Sequence, residues 1–335
     1  MSFNLKDEKV RAALLATLMS LASMIIILKY YESDLSWETL SRVQGRFLLL
    51  GLVLHMFSWI FYAVRLKRLT SLAGHEISFR LSLISTLASN FLAALTPSSA
   101  GGEPLRIKIL ADDGMSYGSA TAVAVGERLL DSVFFVAALA FLLVFSNFLT
   151  GFGLKIGVFF FVLLILLFGF LWQLVSRPDR IAAIMDWLKR KTGNRPIINS
   201  VEREICLFRQ AGIHLAKETV RCTPLMAILT TLIWICDFLV PSALLMGMGA
   251  DPNFLHSVTA QTILAIIAIL PLTPGGSGVA ELSMSILYSK FVPPVLLGPL
   301  VILWRAATYF SNIVVGAAFA GASINGMVKK EKAKG

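Results

Sequence analysis

Ile269–Leu287 runs ILPLTPGGSGVAELSMSIL inside an otherwise apolar part of the chain. Two prolines (Pro271, Pro274) and three glycines (Gly275, Gly276, Gly278) interrupt the hydrophobic run, and Glu281 follows them. Proline removes a backbone donor and clashes with the preceding turn, while glycine has the largest backbone entropy to lose in a helix. A helix entering this stretch is therefore expected to break, and a second one to restart near Ser277. Within a bilayer such a break is tolerated only where protein or a watery cavity satisfies the freed amides and carbonyls.

The same signal occurs once before, at Leu95–Glu103, LTPSSAGGE. Thr96-Pro97 answers Thr273-Pro274, and Gly101-Gly102-Glu103 loosely answers Gly278 to Glu281. Pro97 and Pro274 are 177 positions apart, as are Arg128 and Arg305, and Glu103 and Glu281 are 178 apart. Several matched features at one offset indicate an internal duplication. Each half, about 47–146 and 223–320, supplies a broken helix, a glutamate and an arginine within an apolar segment. In transporters, paired interrupted segments of this kind point to the substrate site.

Composition fixes the class. The 335 residues have a mean hydropathy of +0.76, with 56% hydrophobic and 15% charged residues. Soluble domains carry about a quarter charged residues, so this is expected to be an all-α polytopic membrane protein. Cys206, Cys222 and Cys236 have no metal or redox spacing, the four histidines are scattered, and no cofactor or metal is expected. The net charge of +10 sits mainly in connectors, which suits lipid headgroups and topology better than nucleic acid. No cleavable signal peptide is evident.

Full spans are expected at about 12–28, 47–64, 117–145, 154–175, 223–246 and 295–320, with the broken segments as two re-entrant hairpins. Residues 177–221 read as an amphipathic helical pair on the cytoplasmic face, with Ile184 and Leu188, then Ile198, Val201, Ile205 and Phe208, at helical spacing. With six spans and both termini in the cytoplasm, the inner connectors carry 21 Lys/Arg, Arg65 among them, and the outer ones five. That is the bias of a positive-inside protein. The first hairpin then enters from the cytoplasm and the second from outside, which makes the halves an inverted repeat in a single membrane domain. Eight spans, with both breaks crossing, is the alternative.

Ionisable groups inside apolar segments are costly and are functional candidates by default. Here they are Glu103, Arg106, Lys108, Glu127, Arg128, Asp131, Asp237, Glu281 and Arg305. The Glu127–Asp131 cluster is either a salt bridge between helices or part of a headgroup site. Two guanidiniums in a central cavity would suit bidentate phosphate recognition, with the restarted half-helices adding amides and positive dipole ends. Arg106 and Lys108 have no repeat counterpart and are expected to make the first headgroup contact. Glu103 and Glu281 either cap the broken ends or exchange protons, and Asp237 is either a hydrogen-bonded polar group or a proton relay. Asp112-Asp113 is expected to be a solvated hairpin end.

LTPSSAGGEPLR, GERLLD, PLTPGGSGVAE and the arginine of the last span together resemble the flippase-like family named for the membrane domain of lysylphosphatidylglycerol synthetases. The resemblance covers about residues 12–325, and Pro274, Gly275, Gly276, Gly278 and Glu281 are its most specific part. It implies a lipid transporter in the cytoplasmic membrane, without a catalytic residue. The expected partner is an anionic phospholipid, an aminoacylated lipid or a polyprenyl-phosphate-linked lipid, with a lipid-synthesising enzyme as a further one. Only a short tail follows Ala320, so a stand-alone member without the aminoacyltransferase domain is expected. The rival readings are a membrane-embedded enzyme on a lipid-linked substrate, an anion carrier, or a scaffold for a synthase.

Overall fold

The computed structural model describes residues 43–96, 101–146, 150–176, 189–191, 196–269, 273 and 276–319. Outside these lie the expected first span, most of the first helix of the amphipathic pair, Pro97, Pro274, Gly275 and the lysine-rich tail. Every element among the described residues is helical. In chain order they are α1 (Gly45–Leu72), α2 (Phe79–Leu95), α3 (Gly102–Asp112), α4 (Tyr117–Ser146), α5 (Thr150–Ser176) and α6 (Pro196–Arg221). Then follow α7 (Thr223–Phe238), α8 (Val240–Gly247), α9 (Phe254–Ile269), α10 (Val279–Tyr288) and α11 (Pro294–Phe319).

Five helices or helix pairs, α1, α4, α5, α7–α8 and α11, are long and apolar enough to cross a membrane. Their outward faces carry large apolar side chains, as at Val158, Phe159, Ile165 and Leu166 of α5, which water would penalise and lipid does not. By contrast α2, α3, α9 and α10 have 17, 11, 16 and 10 residues, fewer than the roughly 20 a crossing needs.

These short helices form two hairpins. At the base of α2–α3, His75 Nε2 lies 3.2 Å from Asp113 Oδ2, and Leu66, Leu69, Ile77, Leu110 and Met115 form one core beneath it. At the base of α9–α10, Ser257 Oγ is 2.8 Å from Tyr288 Oη, and Gln261 Nε2 donates to the same hydroxyl at 3.1 Å. Each broken segment thus begins and ends at one place. Asp113, expected to be simply solvated, ties the first base together.

The two halves follow one plan. The starts of α1 and α7, α2 and α9, α3 and α10, and α4 and α11 are separated by 175 to 178 positions. The matching helices α1 and α7–α8 run antiparallel in contact over their full length. Gln44 N donates to Gly247 O at 2.9 Å, His55 meets Asp237, Arg65 reaches Thr230, and Arg68 lies 4.0 Å from the Cys222 sulfur. The halves also interlock, since Trp59 of α1 donates to Asn312 of α11 and Trp234 of α7 donates to Asp131 of α4.

α6 uses its apolar face on protein, with Ile198, Ala211 and Leu215 buried. It packs along the first turns of α4, where the Gly118 amide donates to Glu204 Oε2 at 2.7 Å. The amphipathic pattern expected to rest on the membrane face is therefore partly satisfied by α4.

The first break depends on close backbone approach. A Cβ on Gly102 would lie 2.9 Å from the Ser89 carbonyl oxygen and 3.0 Å from Ala93 Cβ, so α2 and α3 meet here without a side chain between them. Gly102→Val is expected to cost about 1–3 kcal/mol by overpacking, read as a lower melting temperature in detergent, whereas exposed Gly45→Val should cost less.

Candidate functional site

Both half-helices start on a glycine cap and carry a glutamate in the first turn, and they differ in what accepts the amide at the broken end. α3 begins at Gly102 after Thr96 Oγ1 accepts the Gly101 amide at 2.9 Å, and Glu103 lies in its first turn. α10 begins after Gly276 and Gly278, whose φ values of +68° and +85° a residue with a side chain rarely adopts. Glu281 Oε2 accepts the Gly278 amide at 2.7 Å, closing the broken end and placing an acid at the positive end of the half-helix. Both glutamates also receive the arginine of the following helix. Arg128 Nε donates to Glu103 Oε1 at 2.9 Å, and Arg305 Nη2 lies 2.8 Å from Glu281 Oε2. The glutamates, 178 positions apart, and the arginines, 177 apart, are therefore bonded in equivalent pairs.

The pairs differ in exposure. The Arg128 side chain is 50% exposed and Glu103 30%, whereas Arg305 is 5% exposed and Glu281 fully buried. Arg305 also donates to the Gly276 carbonyl at 3.3 Å and has its guanidinium carbon 4.8 Å from the Tyr309 ring centroid. The Tyr309 hydroxyl donates to the Ala94 carbonyl, at the tip of the first hairpin, at 3.1 Å. Tyr309 and Arg305 thus bridge the two tips. One π-helical turn, Ala306–Phe310, follows Arg305 directly, an irregularity frequent at functional sites.

Behind Arg128 lies a second charge network. Arg65 is fully buried and donates to Asp131 Oδ1 at 2.7 Å and to Thr230 Oγ1 at 3.0 Å, while its Nε is 3.7 Å from Glu127 Oε1. Arg106 Nη1 donates to Glu127 Oε2 at 2.5 Å, and Arg128 Nη1 is 3.4 Å from Asp131 Oδ2. Three arginines face three carboxylates, so the cluster is neutral and joins α1, α3, α4 and α7. A buried carboxylate needs such a partner, because desolvation without one costs several kcal/mol.

Geometry divides the expected residues. Glu103, Arg128, Asp131, Glu127 and Arg106 come together around the first tip, and Glu281, Arg305, Gly276 and Gly278 around the second. Arg106, expected at the entrance, is instead 2% exposed and locked on Glu127. Lys108 is exposed and pairs with Asp112 one turn along at 3.1 Å. Asp237 sits apart from both tips, 2.7 Å from His55 Nδ1. Arg65, a cytoplasmic connector charge by the sequence count, and His55 join the candidates only through their contacts with Asp131 and Asp237. Among the described residues, no group of three His, Cys, Asp or Glu side chains could hold a metal ion.

Comparison with known proteins finds relatives along most of the chain. A UPF0104 membrane protein of Archaeoglobus fulgidus is 39% identical over 310 residues, covering 91% of this chain and 94% of its own. UPF0104 membrane proteins of Pyrococcus horikoshii and Methanocaldococcus jannaschii are 23% and 22% identical, over 79% and 92% of this chain and 83% and 94% of theirs. The model of the lysylphosphatidylglycerol synthase TM region matches residues 10–316. With that match over nearly the whole length, on helices that carry the broken tips and their glutamates, this multi-pass membrane protein belongs to the family of the lysylphosphatidylglycerol synthase TM region.

Proposed function

We propose that the protein moves an anionic, phosphate-bearing lipid across the membrane, its headgroup passing between the two hairpin tips while the acyl chains stay in lipid. The observation that carries this reading is the duplicated arginine–glutamate pair, one half-exposed and one closed, at two tips bridged by Tyr309. A phosphate can exchange for a carboxylate on a guanidinium, because both present oxygens to the same planar fork. Arg128, already accessible, would take the headgroup first, and Arg305 would take it once Glu281 turns aside.

The matching helix starts and the antiparallel course of α1 and α7–α8 support an inverted repeat. The hairpin bases support re-entry over crossing, hence six spans counting the expected one at 12–28. Positive-inside counting would put the base of the first hairpin and both termini in the cytoplasm. Taking Arg65 from the inner count into the bundle leaves the bias intact.

The test is transbilayer movement of acyl-labelled phosphatidylglycerol in proteoliposomes, followed by dithionite quenching. Vesicles with the protein should move it faster than protein-free vesicles and faster than labelled phosphatidylcholine. Arg128→Gln, which loses one charge-assisted bond of about 1.5–2 kcal/mol, should slow it roughly tenfold with little effect on melting temperature. A rate equal to that of protein-free vesicles would remove the lipid reading. Uptake of a water-soluble anion instead would favour a carrier.

A further inference from the structure

Every carboxylate in the two tip clusters has an arginine partner: Glu103, Glu127 and Asp131 among Arg65, Arg106 and Arg128, and Glu281 on Arg305. Asp237 is different. Its partner is the imidazole of His55, and histidine, unlike arginine, is a residue type that can take up or release a proton. The pair also lies deep. Gln44 and Gly247 meet at one end of α1 and α8, and His55 and Asp237 are each ten residues from the adjoining helix end. Ten residues of helix rise about 15 Å, half of a hydrocarbon core about 30 Å thick.

Chemistry assigns the proton positions. With Asp237 ionised, its carboxylate only accepts, so Nδ1, 2.7 Å from Asp237 Oδ1, carries the hydrogen and donates it. The lone pair is then left on Nε2, which is buried and has no hydrogen-bond partner among the described residues. His55 is 5% exposed, and its ring meets Trp59 edge-on at 5.0 Å. Beside Asp237, Pro241 of α8 has no N–H to give the Asp237 carbonyl, and the helix is interrupted at Leu239. Within electrostatic reach of Asp237 are Cys236 of its own helix and Tyr62 of α1, with Arg65, Arg128 and Asp131 beyond Tyr62. From α11 the facing polar group is the amide of Asn312, through Trp59, and from α8 the neighbours on α1 are the apolar Val240 and Leu244.

We propose that His55 and Asp237 form a proton-binding site at mid-membrane whose occupancy is coupled to movement of the lipid headgroup. One proton adds to His55 Nε2 and converts a net charge of −1 into an internally neutral imidazolium–carboxylate pair. Loss of that proton restores the uncompensated carboxylate, which a low-dielectric interior disfavours. Both partners lie on the matching, antiparallel helices of the two halves, so the proton acts on the contact that must shift if the halves rock against each other. The coupling rests on the lipid-transport reading; the protonation does not.

Two measurements on the full chain separate these parts. Proton uptake by the purified protein, stepped from mildly alkaline to mildly acidic pH, should be about one proton per chain greater than for the folded double variant His55→Gln/Asp237→Asn. Equal uptake would overturn the site. In proteoliposomes with labelled phosphatidylglycerol, an imposed proton gradient should change net lipid movement at least about fivefold over no gradient. Asp237→Asn should bring that within-protein ratio close to one, and His55→Gln provides a second variant should the first fold poorly. Lipid movement by the native protein that ignores the gradient, or an Asp237→Asn protein that still responds, would overturn the coupling. No lipid movement by the native protein, with the extra proton present, would sink the transport reading and leave the proton site standing.

Discussion

Arg65→Met is expected to lower stability by about 3–5 kcal/mol, the largest loss from any single change in the charge network behind Arg128. Arg65 is fully buried, and its removal leaves Asp131 with only Arg128 at 3.4 Å and the indole of Trp234 at 2.9 Å. It also takes away the guanidinium from beside Glu127 and the Tyr62 ring, whose centroid it approaches at 5.0 Å. The measurement is thermal unfolding in detergent, followed by the monodisperse fraction on size exclusion. Adding Asp131→Asn should recover much of the loss, because the stranded charge goes with it. A single variant within about 1 kcal/mol of the native protein, the size of an exposed ion pair, would show that water reaches this cluster freely.

The contrast between Arg65 and Arg128 shows what a sequence can and cannot reveal here. Arg128 and Arg305 stand out because each interrupts an apolar run and each has a counterpart at the same offset. The tips stand out for the same reason, since proline and glycine have strong local meanings. Arg65 lies just before Lys67 and Arg68, where a terminal cation is expected to reach for headgroups. Its helix instead continues to Leu72, and Arg65 lies on the face that buries Ser58 and Leu69, where it meets Asp131. His55 lies within the expected span 47–64, where an ionisable side chain is a candidate by the same rule, but its partner is 182 residues away and no local pattern joins them. Arg106 has the right charge and the right segment, but its partner Glu127 is 21 residues away on α4, and no local pattern joins the two.

Arg305→Ala should abolish lipid movement and lower stability together, and the two effects can be separated. The stability loss follows from Glu281, fully buried, which would keep the Gly278 amide but lose its cation 2.8 Å away. Stranding a buried charge costs about 3–5 kcal/mol. The transport loss follows if the same guanidinium holds phosphate, since a charge-assisted interaction of about 3 kcal/mol corresponds to roughly a hundredfold in rate. Arg305→Gln/Glu281→Gln removes both charges while keeping side-chain length and hydrogen bonding. It should restore stability to within about 1 kcal/mol of the native protein, because nothing charged is left unpaired. If lipid movement stays lost in this stable double variant, the arginine serves the headgroup and the glutamate holds it in waiting. If movement returns with stability, the pair is a clasp that fixes the tip of α10 against α11, and the headgroup must pass by Arg128 alone. The half-exposed Arg128–Glu103 pair has the opposite expectation. Its charges are already partly solvated, so its neutral double variant should gain little stability over Arg128→Gln and move lipid no faster.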